Sequence, residues 1–298
     1  MPDLLLDALP VIDLLEITGN TSAVAQITER DQSSVSRIYR QASERLGLQF
    51  CKGQNGDYRA GANQGLLQEL RRSSQRLRLQ EPASLRWLAC RWSPVPAVEA
   101  ALSHPLDHRW LSRQRVCQQL RDHLLDLAVL PGLELLPEPA HLEAPPAEVL
   151  LDGGELLALP LLRQPLLLTA TAGHPLHDRR AAIPADLTRW PLLQPEPAGD
   201  PAPRLRQQLQ EQGLRLVSAP TSPTSRPPLQ LLQAADRETH PQAESLRILP
   251  LNSDLHDCDV VVVRNDRRTE PALGQLLEAL VEAHHRQLGQ RDDLQLLR

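Results

Sequence analysis

Aromatic residues are almost missing from this chain of 298 residues: one Phe, two Tyr and four Trp make up 2% of it. A core must therefore be built mainly from Leu, Val, Ile and Ala. Lysine is rarer still. Lys52 stands alone, and Arg supplies every other positive charge, which reads as a composition bias rather than a mechanism. The four cysteines, Cys51, Cys90, Cys117 and Cys258, are widely separated and form no Cys-x-x-Cys pair, so neither a zinc site nor a redox motif is expected. His104 with His108, and His174 with His177, could share a helix face. Neither pair has ligand partners nearby, and His174-Pro175 favours a loop, so no metal is expected. No apolar run reaches the roughly 20 residues needed to span a bilayer. The N-terminus has no basic region followed by a cleavage site. The expected address is the cytoplasm, which makes Asn20-Thr21-Ser22 a chance sequon. No Gly-rich phosphate loop, Gly-x-Ser-x-Gly elbow or acidic pair in a catalytic setting occurs. Asp292-Asp293 reads as a solvated tail. These absences point away from an enzyme and away from any cofactor.

Charge narrows the choice further. The net charge of -5 is not that of a protein that coats nucleic acid broadly. Its distribution is uneven, because residues 1–80 are slightly basic and the rest of the chain holds the acidic excess. That pattern fits a protein that touches nucleic acid at one end only.

What is present is concentrated between Gly19 and Gly47, GNTSAVAQITERDQSSVSRIYRQASERLG. Two short helices separated by the polar turn Glu29-Arg30-Asp31 are predicted. In the second, Gln32 to Leu46, the residues Val35, Tyr39, Ala42 and Leu46 form one helical stripe, widened by Ile38. Ser33, Ser36, Arg37, Arg40 and Glu44 lie opposite. Gly47 sits where a helix stops in a left-handed conformation. Short side chains at the N-terminal end let a helix approach a groove closely, and Gln, Ser and Arg can bond base edges or phosphates. An ordinary amphipathic helix with a solvated face would show the same stripe. The surroundings favour the DNA reader. Leu4 to Thr18 is an apolar-rich first helix, Ser22 stands where an N-cap would open the next one, and Ala23, Val24, Ala25 and Ile27 suit tight packing.

Gly19, Ser22, Ala23-Val24-Ala25, Gln32-Ser33-Ser34-Val35-Ser36-Arg37 and Leu46-Gly47, at ungapped spacing, resemble the winged helix-turn-helix of LysR-type transcriptional regulators. Arg30 departs from that pattern where the family has an aliphatic residue, and Cys51 where it often has Phe. The wing, residues 52–59, is also poor in basic residues. The resemblance implies DNA contacts from Ser22, Gln32, Ser33, Ser34, Ser36, Arg37, Arg40 and Lys52. It also implies double-stranded DNA and a second copy of the chain as partners, a small-molecule effector, and contact with RNA polymerase.

The remainder divides into further segments. Residues 62–79 carry Leu66, Leu70, Ser73 or Ser74, and Leu77 at helical spacing, over about 27 Å if fully helical. Such a helix either packs on its own domain or pairs two subunits. The matching helix of LysR-type regulators dimerises. Beyond Ala83 strands alternate with helices, which predicts an α/β body with a parallel sheet. Strands are expected over 84–90, 108–112, 124–130, 214–218 and 259–263, with a pair of strands and a turn over 156–171, where Pro160 and Pro165 interrupt an apolar run. Helices are expected over 97–102, 116–123, 204–212, 228–235 and 270–288. Leu125-Asp126-Leu127-Ala128-Val129, Ala172-Gly173-His174-Pro175-Leu176 and Trp190-Pro191-Leu192-Leu193 again resemble the family.

The expected fold is thus α/β, with a winged helix-turn-helix at 1–61, a linker helix and hinge at 62–82, and a two-subdomain effector-like body at 83–298. The resemblance would aim Ser93, Thr171, Thr221 and Ser222 into a cleft between subdomains, although each such residue is more often a mere cap or turn residue. The segment 235–245 is polar where the family has an apolar, Gly-containing strand, which leaves a pocket wall missing or rebuilt. Two functions follow: a sequence-specific regulator acting as a homo-oligomer, or a degenerate regulator whose acidic body binds another protein.

Overall fold

The computed structural model describes residues 4–52, 58–89, 113–137, 144, 146–177, 187, 189–193, 203–211, 213–214, 216–217, 229–233, 245–249, 255–288 and 295–297. The chain opens with one π-helical turn, Leu4–Ala8, that runs into α1, Leu9–Thr18. Then come α2, Thr21–Ile27, and α3, Gln32–Leu46. Leu9, Ile12, Leu15, Val24, Val35, Ile38 and Ala42 meet in one core and are all buried. The predicted stripe of α3 is therefore its inner face. Gly47 ends α3 at φ 60°, as expected, and has a second reason to be glycine. A Cβ there would lie 2.7 Å from Nδ2 of Asn63, which donates to the Leu46 carbonyl at 2.7 Å and closes the helix end. A two-stranded ribbon, β1 Phe50–Lys52 and β2 Tyr58–Ala60, completes the N-terminal unit.

The body is one ten-stranded mixed sheet, and the α/β class holds. Its strands are β3 Trp87–Ala89, β4 Leu127–Pro131, β5 Val149–Leu151, β6 Leu156–Thr171, β7 Leu192–Leu193, β8 Leu216–Val217, β9 Leu229–Gln233, β10 Leu246–Ile248, β11 His256–Arg264 and β12 Gln295–Leu296. The main path runs β3-β4-β11-β6-β9-β7-β8. Helix α5, Arg113–Arg121, precedes β4; α6, Pro203–Glu211, precedes β8; α7, Pro271–Leu288, follows β11. Alternation decides the layers. Trp87, Leu127, Val129, Leu157, Val261 and Val263 face α7 through Leu273, Leu276, Leu280 and Ala283. Leu88, Ala128, Leu130, Ala158, Val260 and Val262 join the other core, with Val116 and Leu120 of α5. Leu, Val and Ala thus fill both layers, with Trp87 as the large exception.

Three expectations are corrected. The sheet is not parallel throughout: β3 with β4, and β7 with β8 and β9, run parallel, while β4-β11-β6-β9 is antiparallel. A β-α-β crossover forces parallel pairing only between the strands it joins, and β11 returns from the far end of the chain. Residues 156–171 form one strand of 16 residues rather than two with a turn. A register shift between Asp259 and Val260 leaves Leu161 as an extra residue beside Pro160, and Pro165 sits at the end of the β11 pairing, so neither proline breaks a regular ladder. The long strand then carries the sheet from β11, β5 and β12 to β9 and β10. Finally, the helix expected over 228–235 is strand β9, in which Leu229 and Leu231 are buried at period two. The strand expected over 108–112, the helix over 97–102, the polar segment 235–244 and the acidic tail lie outside the described residues.

Between the two units runs α4, Gln64–Arg78. Its inner face is polar, not apolar: Leu67, Arg71, Ser74, Gln75 and Arg78 are the buried residues. Arg71 donates from Nε to Asp13 at 2.8 Å and from Nη2 to Glu16 at 2.7 Å, both on α1. Arg86 Nη1 takes the second Asp13 oxygen at 2.7 Å. Arg78 grips both oxygens of Asp126, at 2.8 and 2.9 Å, and Gln75 adds a third bond to that carboxylate. Burial pushes Asp13 up, but Arg71 and Arg86 together outweigh it and hold the carboxyl below its usual range. For Glu16, burial wins over Arg71 and the shift is upward. The outward face of α4 carries Leu66 and Leu77, exposed by 48% and 45%, with Leu70 half-buried between them.

Candidate nucleic-acid interface

Two caps set the geometry of the helix-turn-helix. Asn20, not Ser22, caps α2: its Oδ1 accepts from the Ser22 backbone N–H at 2.8 Å. The sequence permits either, and the extended backbone of Asn20 (φ -145°) leaves Ser22 as the second helical residue, with its hydroxyl exposed. Asp31 caps α3. Its carboxylate accepts from the Ser34 N–H at 2.7 Å, from Ser33 Oγ at 2.5 Å and from Ser34 Oγ at 2.7 Å. Those two hydroxyls, with the amide, hold the Asp31 carboxyl well below its usual range. A negative cap suits the positive end of the helix dipole. It also occupies the place an anion would take at that helix end.

Between these caps the two helices are latched. Gln32 Nε2 donates to Thr21 Oγ1 at 2.8 Å, which sets the start of α3 beside the start of α2. Glu29 takes a left-handed φ of 51° in the turn, and Arg30 pairs with Asp7 at 2.9 Å. The Arg that departs from the family pattern thus clamps the turn to the first helical turn of the chain, where an aliphatic residue would have packed.

Of the sequence-predicted residues, Ser22, Gln32, Ser33, Arg37 and Arg40 are exposed, and Ser34 and Ser36 are half-buried. Ser33, Arg37, Arg40 and Glu44 are spaced so as to share one face of α3. Arg37 reaches back to Ser34 Oγ at 3.5 Å. Neither Arg37 nor Arg40 forms an ion pair with another of the described residues. This edge can present two guanidinium groups and a carboxamide on a helix whose N-terminal side chains are short. Ser33 and Ser34 are less available than expected, because their hydroxyl protons go to Asp31. Lys52 lies in β1 next to the outer wing residues, 53–57, which are outside the described residues. Sequence reasoning missed Asn20, Thr21 and Asp31. Asp31 carried a signal, an Asp immediately ahead of an apolar-periodic run.

The expected effector residues fare differently. Thr171 ends β6 and is exposed; its carbonyl accepts from the His174 N–H at 3.1 Å in the turn that holds Gly173. It has a turn residue's role and lines neither the cavity beside Gln64 and Gln119 nor the one beside Arg264 and Asp266. Ser93, Thr221 and Ser222 lie outside the described residues. Among the described residues no group of three His, Cys, Asp or Glu could hold a metal, and no helix is long and apolar enough to cross a membrane. Cys258 is buried, and burial beside Asp257 and Asp259 pushes its thiol above the usual range, which leaves it inert.

The sequence matches no family model and no curated protein. Solved structures do match it along almost its whole length. The probable transcriptional regulator PA0477 from Pseudomonas aeruginosa superposes with a TM-score of 0.54 at 16% identity, covering 92% of this chain and 95% of its own. A full-length OxyR variant from Pseudomonas aeruginosa gives 0.52 at 14% identity, with 96% and 95% covered. CbnR, a LysR family transcriptional regulator, gives 0.50 at 12% identity, with 94% and 98% covered. The chain therefore has the LysR-type regulator fold, from helix-turn-helix through linker helix to α/β body.

Proposed function

We propose that this protein is a sequence-specific DNA-binding transcriptional regulator of LysR type that acts as a homo-oligomer. The observation that carries it is the outer face of α3. There Arg37 and Arg40 project beside Gln32 from a helix rigidly capped and latched to α2. That α3 is the second helix of the pair supports the reading, since a helix-turn-helix reads the major groove through its second helix. The exposed Leu66 and Leu77 on the outer face of α4 support pairing of two copies, because its inner face is already spent on the same chain. Selection of random DNA sites by the purified protein tests the proposal. A defined preferred sequence is expected, with Arg37→Ala losing roughly 1–3 kcal/mol at that site and relaxing the preference. Recovery of no preferred sequence, with the protein intact and folded, would favour the protein-interaction alternative.

A further inference from the structure

The geometry points to a built-in clasp between the two flanks of the α/β body. The Glu134 carboxylate and the Arg204 guanidinium lock the turn after β4 to the start of α6, so that the body stays closed with no soluble anion bound. The clasp lies wholly in the body and stands whether or not α3 reads DNA.

Residues 132–136 form a single tight turn, in which the Gly132 carbonyl accepts from the N–H groups of Leu135 and Leu136 at 2.9 and 2.8 Å. The entry of the turn is fixed to β11. Gly132 N–H donates to the Cys258 carbonyl at 2.6 Å, and Leu133 N–H donates to Asp257 Oδ1 at 2.8 Å. A Cβ on Gly132 would lie 2.7 Å from that carbonyl, so glycine is what lets the turn sit this close. Helix α6 belongs to the other flank, because it leads into β8. In the sheet β4 and β8 are separated by β11, β6, β9 and β7, a span of about 24 Å if the sheet were flat. The turn after β4 and the start of α6 nevertheless meet.

Two side chains of opposite charge make the junction, one from each side. Glu134 reaches out from the turn. Its Oε1 accepts from the Leu205 N–H at 2.8 Å, and its Oε2 lies 3.7 Å from Nη1 of Arg113 at the start of α5. Leu205 is the third residue of α6, so its N–H is one of the donors that a helix leaves without an internal partner. The carboxylate thus sits at the positive end of the α6 dipole, with its side chain only 12% exposed. Arg204 reaches back from α6. Its Nη1 donates to the carbonyls of Leu133, at 3.3 Å, and Leu136, and its Nη2 donates to the Pro137 carbonyl at 2.9 Å. An anion meets the helix start and a cation meets the carbonyl end of the turn, so each charge complements the dipoles it faces. Leu133 and Leu136 of the turn and Leu205 and Leu209 of α6 are buried in one core behind this polar junction. A carboxylate already tethered in the chain loses no translational freedom on taking its place, which a soluble anion would.

Hydrogen exchange of the full-length protein, read by mass spectrometry over 132–137 and 203–211, tests the clasp. Glu134→Ala deletes a methylene and a carboxylate, a group the size of acetate. Exchange at Leu205 and its neighbours should rise on the order of tenfold, the loss of one hydrogen bond to a charged group. Millimolar acetate should restore protection in this variant, and chloride at equal ionic strength should not. Glu134→Gln should raise exchange less and gain nothing from acetate, because its carboxamide fills the space. Arg204→Met should loosen both 132–137 and 203–211, with no recovery in acetate. The parent protein should be indifferent to acetate, since its own carboxylate holds the place. Unchanged exchange in Glu134→Ala and Arg204→Met overturns the clasp, and loosening confined to the mutated segment overturns the coupling of the two flanks. Recovery in chloride equal to that in acetate, or added protection of the parent by acetate, overturns the built-in anion. Should Glu134→Ala fail to fold, Glu134→Gln and Arg204→Met decide by the same criteria. Failure of the protein to select any DNA would sink the proposed function, yet leave these exchange measurements standing.

Discussion

Arginine is used in opposite ways on α3 and α4. On α4, Arg71 and Arg78 are buried, and each guanidinium is ion-paired to carboxylate outside the helix. On α3, Arg37 and Arg40 are exposed and form no ion pair among the described residues. A buried guanidinium needs partners to offset desolvation, and once it has them it serves as a structural joint. An exposed one has no such requirement and keeps its donors for a visitor. One helix is fastened through its arginines; the other offers them.

The largest test breaks the fastened side. Arg71→Met leaves Asp13 and part of Glu16 as buried carboxylates without their main cation. Removing one member of a buried ion pair costs about 3–5 kcal/mol. Urea unfolding at neutral pH should show that loss, whereas Arg40→Ala should stay within about 0.5 kcal/mol of the parent. Equal effects of the two changes would erase the distinction between the helices.

Acid probes the same joint from a different residue. His123 sits at a left-handed φ of 61°, with Nδ1 2.7 Å from Gln75 Oε1 and Nε2 facing Arg72 Nε at 3.4 Å. The neutral ring that donates from Nδ1 fits this setting, and a protonated one would point a second N–H at a cation. Burial first, then Arg264 and Arg72, push its pKa down to about 4. The unfolded chain takes up its proton near 6.5, before the folded one does. The stabilisation is therefore complete above pH 6.5 and lost as pH falls toward 4, by at most about 3 kcal/mol. Asn tolerates the left-handed backbone, so His123→Asn should flatten the stability profile between pH 6.5 and 5. An unchanged slope would show that another group titrates there.

Much of this contrast was legible in the sequence on one side only. The α3 boundaries, its inner stripe and its left-handed Gly47 follow from periodicity and capping, because that helix is amphipathic in the ordinary sense. The inner face of α4 was not legible. Its buried residues are mostly polar, and nothing local in the chain says that Arg71 will meet Asp13 and Glu16, 58 and 55 positions away. Leucine spacing therefore drew attention to the outer stripe. The long β6 and the strand at 229–233 were misread for a related reason. Pro160 is tolerated through a register shift set by β11, and Leu229–Gln233 is held as a strand by β6 and β7, all remote in sequence. Of the candidate site, the exposed Gln32, Arg37 and Arg40 were legible and the Asp31 cap carried a signal, but the latch to Thr21 and the capture of both serine hydroxyls by Asp31 were not.

A smaller effect is expected from the offered side. Arg40 lies one turn beyond Arg37, farther from the capped end of α3. If it meets a phosphate rather than a base, Arg40→Gln should weaken binding to all sequences alike. The slope of log affinity against log salt should then fall by about 1. A change in preferred sequence with the slope intact would instead assign Arg40 to a base edge.

The least change in folding stability, and the sharpest separation of the two faces of α4, comes from its outer stripe. Leu66 and Leu77 are each nearly half exposed in the single chain, so little apolar surface is withdrawn from water there unless a second copy covers it. Leu66→Ser with Leu77→Ser should shift unfolding at low protein concentration by no more than about 0.5 kcal/mol per site. Association has a different dependence, because each leucine buried across a seam contributes on the order of 1 kcal/mol or more. Sedimentation velocity over a range of concentrations should therefore show the parent as a dimer and the double variant shifted to monomer. The inner-face variant Arg71→Met would do the reverse in kind, losing folding stability before association. A double variant that remains fully dimeric at micromolar concentration would move the dimer contact off α4 and leave the outer leucines without a partner.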